Sequence, residues 1–308
     1  MTQDATRAPQ LTILTASWNR ANLLRRLHAS IMAQPVDPGL VEWLVIDDGS
    51  TDDTGAELAR LTARPGPVAM RVLHQPHGGK HRALNTGFAQ ARGSWIAIID
   101  SDDWCRGAAL PPVLSLLDRI EKEDVFAAIL PLIVPKATRQ YRFSTPDRAV
   151  SYTTRANTEP PFDSTLIFRR QSKGLRFPEF PGEDFLAEAA LLYRLGRTGR
   201  VWLSNHVLVE AEYQPDGLSA QILQKRMTSP IGACHCYQAM LACPLRPLLR
   251  LRALANFARF WWHARRMGVR PPGPRGLLQH LSLLPGPVFC ARDLVSDRRM
   301  RRRGAKRP

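Results

Sequence analysis

Short apolar runs alternate with stretches of helical periodicity along the first hundred residues. Residues 11–15 (Leu-Thr-Ile-Leu-Thr) form such a run, closed by a polar turn, after which Leu23, Leu24, Leu27 and Ile31 recur at helical spacing. Glu42-Trp43-Leu44-Val45-Ile46 predicts a second strand, closed by Asp47-Asp48-Gly49-Ser50. A helix is expected from near Thr51, with Asp52, Asp53 and Glu57 in its early turns and Leu58 and Leu61 facing inward. Residues 70–74 give a third strand and 83–91 a further helix, and Trp95-Ile96-Ala97-Ile98-Ile99 is a near-continuous apolar strand ending on Asp100. Such runs suit strands covered on both faces, as in a mostly parallel sheet. The alternation predicts a doubly wound α/β layer, Rossmann-like, with ligands at the carboxyl ends of the strands. That rule marks three loops, at 16–20, 47–51 and 100–104.

Further on the pattern is mixed. Residues 125–134 and 166–169 read as strands, 184–195 as a helix, and 201–213 as one or two strands. From 230 onward apolar-aromatic and arginine-rich stretches alternate, with Pro-Gly breaks at 271–274 and 285–287 and no internal repeat. The chain therefore divides into a tail (1–10), an α/β domain (11–222), a basic amphipathic helical appendage (223–297) and a basic tail expected to be disordered (298–308).

Charge sharpens this division. Residues 1–222 hold 25 basic and 25 acidic side chains, while residues 223–308 hold 18 basic and two acidic ones, the whole of the net charge of +16. The 44% apolar content is that of a globular chain, not a disordered or fibrous one. Five cysteines, four of them in the appendage, show no Cys-x-x-Cys pair or zinc spacing, so neutral thiols in a reducing compartment are expected. Residues 1–10 lack a basic start followed by an apolar core, and no apolar run reaches the ~20 residues of a membrane span. A cytoplasmic location is the expectation.

Four segments carry candidate chemistry. In Asp100-Ser101-Asp102-Asp103, residues i and i+2 of an extended segment point the same way, so Asp100 and Asp102 can converge on one object. A hard divalent cation, Mg²⁺ or Mn²⁺, would justify such crowding; a solvated acidic turn capping a helix is the other reading. Asp47-Asp48-Gly49-Ser50 is either an ordinary turn or a carboxylate placed to accept the N3–H of a uracil or thymine ring. Gly78-Gly79-Lys80 before a helix is either a plain loop with a solvated lysine or one from which Lys80 reaches a phosphate; the Walker A spacing is missing and His81 follows the lysine. Gly182-Glu183-Asp184 is either the acidic first turn of a helix or the place of a general base.

The order of these segments is more telling than any one of them. The sequence resembles family 2 glycosyltransferases, which adopt the GT-A fold. The matching residues are Thr15-Ala16-Ser17-Trp18-Asn19-Arg20, Val45 through Asp52, Gly79-Lys80 through Asn85-Thr86-Gly87, Asp100-Ser101-Asp102-Asp103 and Gly182-Glu183-Asp184, within about residues 10–220. The resemblance implies that Ala16, Ser17 and Asp48 hold the nucleoside of a nucleotide-sugar donor and that Lys80 lies near its diphosphate. It makes Asp100 and Asp102 the D-x-D motif, with Asp102 the more direct ligand of Mg²⁺ or Mn²⁺, and Asp184 the catalytic base of an inverting, single-displacement transfer to a glycan or lipid-linked acceptor. The Q-x-x-R-W motif of processive synthases is absent, which implies one sugar per encounter. Tyr213-Gln214-Pro215-Asp216-Gly217-Leu218-Ser219 resembles a segment that closes the domain in relatives. His206, after a predicted strand, is read as a structural histidine in preference to a second metal contact.

In the appendage, Leu248, Leu251, Phe257, Trp261 and Trp262 lie among Arg246, Arg250, Arg252, Arg265 and Arg266, and 277–284 with 288–290 add an apolar patch too short to span a bilayer. Arginines mixed with tryptophans over residues 240–290 suit the surface of an anionic membrane, against packing on the domain with solvated arginines. No nucleic-acid-reading motif accompanies the charge. Two other functions compete. A sugar nucleotidyltransferase would need a Gly-rich basic loop after the first strand, where 16–20 has no glycine. A membrane or nucleic-acid binder without catalysis leaves the carboxylate-rich front unexplained.

Overall fold

The computed structural model describes residues 8–135, 140–212 and 221–304, with side chains through Val295; the segment 213–219 singled out above lies outside the described residues. The chain forms two compact units, Met1–Phe177 with Thr198–Gln214, and Pro178–Arg197 with Pro215–Pro308. In chain order the first carries β1 (Leu11–Ser17), α1 (Ala21–Met32), β2 (Val41–Asp47), α2 (Thr54–Thr62), β3 (Ala69–His74), α3 (Lys80–Gln90) and β4 (Trp95–Ile98). It continues with β5 (Trp104–Cys105), α4 (Leu110–Arg119), β6 (Ala127–Pro131), β7 (Arg148–Ser151), α5 (Tyr152–Thr158), β8 (Ser164–Arg169), β9 (Arg200–Leu203) and β10 (Val209–Glu210). The second unit is helical: α6 (Ala189–Leu195), α7 (Ile222–Thr228), α8 (Pro230–Leu241), α9 (Pro247–Arg266), α10 (Leu277–Ser282) and α11 (Gly286–Gly304).

Eight strands form one sheet in the order β3-β2-β1-β4-β8-β6-β9-β7, and β5 pairs with β10 in a small separate ribbon. The first four are parallel throughout, as the alternating pattern predicts; β8 joins β4 antiparallel, β6 pairs antiparallel with β8 and parallel with β9, and β7 closes the edge antiparallel. Strands β1, β2 and β4 are buried on both faces, which is why they read as continuous apolar runs. Ile13, Trp43 and Trp95 pack on one side with Leu24, Leu27 and Ile31 of α1 and Leu110 and Leu117 of α4. The strand order changes direction at β1, between β2 and β4, which is the place where a doubly wound sheet opens a crevice at its carboxyl ends.

Helix α3 lies close on β1. A Cβ at Gly87 would stand 2.2 Å from Leu14 Cδ1, and Leu14 is fully buried, so only glycine permits this approach.

The division of the chain falls elsewhere than at residue 222. Residues 178–197 belong with the C-terminal helices, where Tyr193 O accepts from Cys243 Sγ at 3.6 Å and Ile231 N and Gly232 N donate to Glu183. The predicted helix over 184–195 starts only at Ala189, because 183–187 form no regular element and Glu183 caps α8 instead of opening a helix of its own. The terminal run expected to be disordered is helical through Gly304, as the end of α11. In the second unit Cys234, Tyr237 and Leu241 of α8 meet Ala253, Phe257 and Phe260 of α9. All five cysteines are buried and free, and burial pushes the Cys236 thiol up to about 11 and Cys105 up to about 12, so both stay neutral.

Two outcomes follow from this packing. Gly87→Val should lower stability by ~1–3 kcal/mol through overpacking against Leu14, read as a lower urea midpoint at unchanged slope. Burial, then a nearby arginine, lowers the pKa of His28 (Arg64) and His235 (Arg275); burial also lowers that of His263, against the pull of Asp293. Their stability contribution is complete above the ordinary value of 6.5 and is lost as pH falls below it, since the unfolded chain takes the protons first. His28→Leu removes one of these losses, so on going from about pH 7.5 to 5.5 its melting midpoint should fall less, or rise more, than that of the unsubstituted protein, by at least ~1 °C.

Candidate active site

The loops after β1 and β2 are joined by one residue. Asn19 has φ 53°, the left-handed region that asparagine tolerates better than most side chains. There its Oδ1 accepts from Thr51 N at 2.8 Å, its own N–H donates to Ser50 Oγ at 2.9 Å, and the next amide, Arg20 N, reaches Thr54 Oγ1 at 2.9 Å. Asp47 finishes the turn: Oδ1 accepts from Ser50 N at 3.2 Å and Ser50 Oγ at 2.5 Å, and Oδ2 lies 2.9 Å from His74 Nδ1.

Asp48, buried at the end of β2, holds the glycine loop. Its carboxylate accepts from Gly79 N at 2.7 Å, Gly78 N at 3.1 Å and Gln75 Nε2 at 2.7 Å, and His77 Nδ1 lies 2.9 Å from Oδ2. Thr86 Oγ1 donates in turn to Gln75 Oε1 at 2.6 Å, so α3 steers the glutamine. Gly49, at φ 71°, lets the two loops touch, for a Cβ there would stand 2.6 Å from His77 N. The ring of His77 stacks on Trp18 with centroids 4.5 Å apart, and Trp18 remains 47% exposed beside this loop.

The acidic segment follows β4. One carboxylate oxygen each from Asp100, Asp102 and Asp103 lies within 4.8 Å of the other two, the only such metal-competent group among the described residues. Lys80, at the first position of α3, donates to Asp100 at 2.6 Å (Oδ1) and 2.8 Å (Oδ2). Burial and the charge of Asp100 raise the pKa of Asp102; burial, then Asp100 and Asp102, push Asp103 up to about 8. The lysine therefore leaves the repulsion only partly offset. Three converging carboxylates with surplus negative charge fit Mg²⁺ or Mn²⁺, hard cations that take oxygen ligands.

One face of α1 grips this segment from beneath. Arg26 and Ser30 stand one above the other on the helix, at i and i+4, and Gln34 follows in the turn just past its end. Arg26 Nη2 donates to Asp102 O at 2.8 Å, Cys105 N donates to Ser30 Oγ at 2.9 Å, Leu110 N donates to Gln34 Oε1 at 2.9 Å, and Gln34 Nε2 reaches Gly107 O. The Arg26 guanidinium also lies 3.9 Å over the Trp104 ring and meets Glu212 Oε2 at 2.9 Å.

The geometry has a counterpart in known proteins. The profile of glycosyl transferase family 2 matches residues 12–173, more than half of the chain. The chain belongs to glycosyl transferase family 2. It is 34% identical over 112 residues to the succinoglycan biosynthesis protein ExoO of Rhizobium meliloti (strain 1021), a match covering 36% of this chain and 31% of that protein. The chain thus spans about three tenths of the length of this relative. Among solved structures, S. aureus TarS 1–349 in complex with UDP-GlcNAc superposes with a TM-score of 0.58 at 16% identity, over 82% of this chain and 72% of that one. The mannosyltransferase PcManGT from Pyrobaculum calidifontis, in complex with GDP-Man and Mn²⁺, gives 0.55 at 19% identity, over 93% and 81%. At such identities these two establish the fold, which is the GT-A fold expected from the sequence.

Within this family-2 fold, the residues expected to bind donor and metal divide as follows. Ser17 ends β1 with its Oγ buried and without a hydrogen-bond partner, next to half-buried Ala16. Asp48 and the Gly78–Gly79 loop are joined, as are Lys80 and Asp100, and Asp100 is grouped with Asp102. Asp103, not assigned as a ligand from the sequence, completes that group. Asp184 belongs to the second unit, where Lys225 Nζ donates to Oδ2 at 2.7 Å and Ser229 Oγ to Oδ1 at 3.3 Å. Burial works against its charge, but Lys225 and Ser229 outweigh it and hold its pKa below the ordinary carboxylate value. His206 joins no metal-competent group among the described residues, and its Nδ1 lies 2.8 Å from Ser204 Oγ. Arg26 escaped the sequence reading because it looks like any basic residue on an amphipathic helix; only the i, i+4, i+8 polar series Arg26-Ser30-Gln34 signals its task.

Arg26→Ala should weaken Mn²⁺ binding at least about tenfold, ~1.4 kcal/mol, by isothermal titration. Arg26→Lys, which keeps the charge and loses the planar fork, should recover only part of that.

Proposed function

We propose that the chain is a metal-dependent, inverting glycosyltransferase that moves one sugar at a time from a nucleotide-sugar donor, a UDP-sugar, to an acceptor hydroxyl in the synthesis of a cell-surface polysaccharide or glycolipid. The observation that carries this is the convergence of Asp100, Asp102 and Asp103 at the end of β4, with Lys80 bound to Asp100. Family membership supports it, as do the names of the relatives: one is a succinoglycan biosynthesis protein, one structure holds UDP-GlcNAc, and another holds GDP-Man and Mn²⁺.

Asp100 and Asp102 would hold Mg²⁺ or Mn²⁺, which supplies positive charge for the departing diphosphate. Lys80, moving from Asp100 to a phosphate oxygen, would neutralise the charge that grows there as the glycosidic bond breaks. On the nucleoside side, Ala16 and Ser17 would line the sugar of the nucleoside, and the exposed Trp18 ring offers a stacking face for a base. Asp48 would accept the N3–H of uracil. Gln75 or His77 must give way for this, since their donors and the glycine amides occupy its oxygens. Asp184 is kept ionised by Lys225 and so is ready to take the acceptor's proton as its oxygen attacks the anomeric carbon opposite the leaving group. The acceptor is a glycan or lipid-linked sugar, met from the cytoplasmic side with the protein peripheral on the inner face of the membrane. No helix among the described residues is long and apolar enough to cross a bilayer, which suits peripheral attachment.

Donor turnover with a panel of nucleotide sugars tests the assignment. Asp102→Ala and Asp184→Asn should each lower transfer by at least ~10²-fold. Asp102→Ala should also abolish the Mn²⁺-dependent rise in melting temperature that UDP gives the unsubstituted protein. Full activity in either variant would overturn the site assignment.

A further inference from the structure

Apart from Trp18, every large apolar side chain exposed among the described residues lies between Leu248 and Val295, in the second unit. Four of them, Leu277, Leu281, Leu284 and Val288, follow one another at i, i+4, i+7 and i+11, the spacing of a single helical face, across α10, a three-residue turn and the start of α11. They are 51–77% exposed, and Leu278 beside them is 56% exposed. Aliphatic residues in such a row ordinarily face a core. Here nothing among the described residues of the unit covers them.

The charge around them is one-sided. Residues 221–295 contain 11 basic side chains and one carboxylate, Asp293. That carboxylate is buried and taken up by Arg259 and by His263 Nε2 at 3.0 Å, so the stretch shows solvent no negative charge at all. Ten of the 11 basic residues are arginine, whose planar fork matches phosphate oxygens. Arg265, Arg266, Arg270, Arg275 and Arg292 are all exposed. A second copy of this chain would bring two such surfaces together against their charge, and so does not suit the row.

We propose that α10 and the start of α11 lie in the interface of an anionic bilayer, with Leu277, Leu281, Leu284 and Val288 among the acyl chains and the exposed arginines on lipid phosphates. This rests on the membrane-peripheral reading above and gives it a surface and a lipid chemistry. Attachment of this kind is reversible and weakens with salt.

The full chain should sediment with vesicles of phosphatidylglycerol mixed into phosphatidylcholine, and at least about tenfold less with phosphatidylcholine alone or at high salt. Leu281→Glu with Leu284→Glu should reduce the first binding by a similar factor, while the melting temperature and donor turnover toward a soluble acceptor stay unchanged. Should that pair fail to fold, Arg265→Gln with Arg266→Gln should remove the preference for the anionic vesicles. Absence of vesicle binding, or binding equal in the variants, overturns the proposal. A dimer in lipid-free solution that the glutamates dissociate assigns the row to a second copy and overturns it too, and so does capture by an acidic protein with no affinity for vesicles. A chain that binds the vesicles as stated but turns over no donor upholds this surface and removes the transferase reading.

Discussion

Three carboxylates of like charge are packed at the end of one strand, and much of the first unit is arranged to keep them there. Left alone, Asp100, Asp102 and Asp103 would separate or take up protons, and burial first, then the neighbouring carboxylates, raise the pKa of Asp102 and Asp103. The restraint is mostly mechanical. Arg26, Ser30 and Gln34 bind the backbone of residues 102–110, leaving the carboxylate oxygens of the segment for other work. Lys80 meets the charge directly at Asp100, and it sits on the other helix that borders the crevice. A group of carboxylates fit for a cation is thus held together against its own repulsion by hydrogen bonds from α1 and from the turn just after it.

The sequence made much of this legible, and for physical reasons. Strands buried on both faces must be apolar along their whole length, so β1, β2 and β4 stand out as runs, and the parallel order of β3, β2, β1 and β4 follows from the helices between them. The strand-end rule then placed Asp48 and Asp100 at one edge of the sheet. The strands β5 and β7 were not legible, because two to four residues of a partly exposed edge carry no clear period. Nor was the role of Asn19, whose left-handed backbone depends on the partner loop at Ser50 and Thr51.

Glu183 and Asp184 show a different limit. Their composition suits the start of a helix, and a helix does follow, but five residues late. Glu183 serves the amides of α8 and Asp184 serves Lys225 and Ser229, all more than 40 residues further on. Local preference was outweighed by partners that no window of sequence contains. The same tertiary demand explains why 178–197 groups with the helices and why a break in charge at residue 222 is not a break in structure.

The close seating of Gly87 on Leu14 also reaches beyond packing. Lys80 stands seven residues earlier on the same rigid rod, ~10 Å away along its axis. The bare glycine thus acts as a pivot and the lysine as the tip of a lever. A methyl group there would press α3 and Leu14 apart, and any shift of the helix would carry Lys80 with it, so the smallest side chain in α3 bears on the reach of its most consequential one.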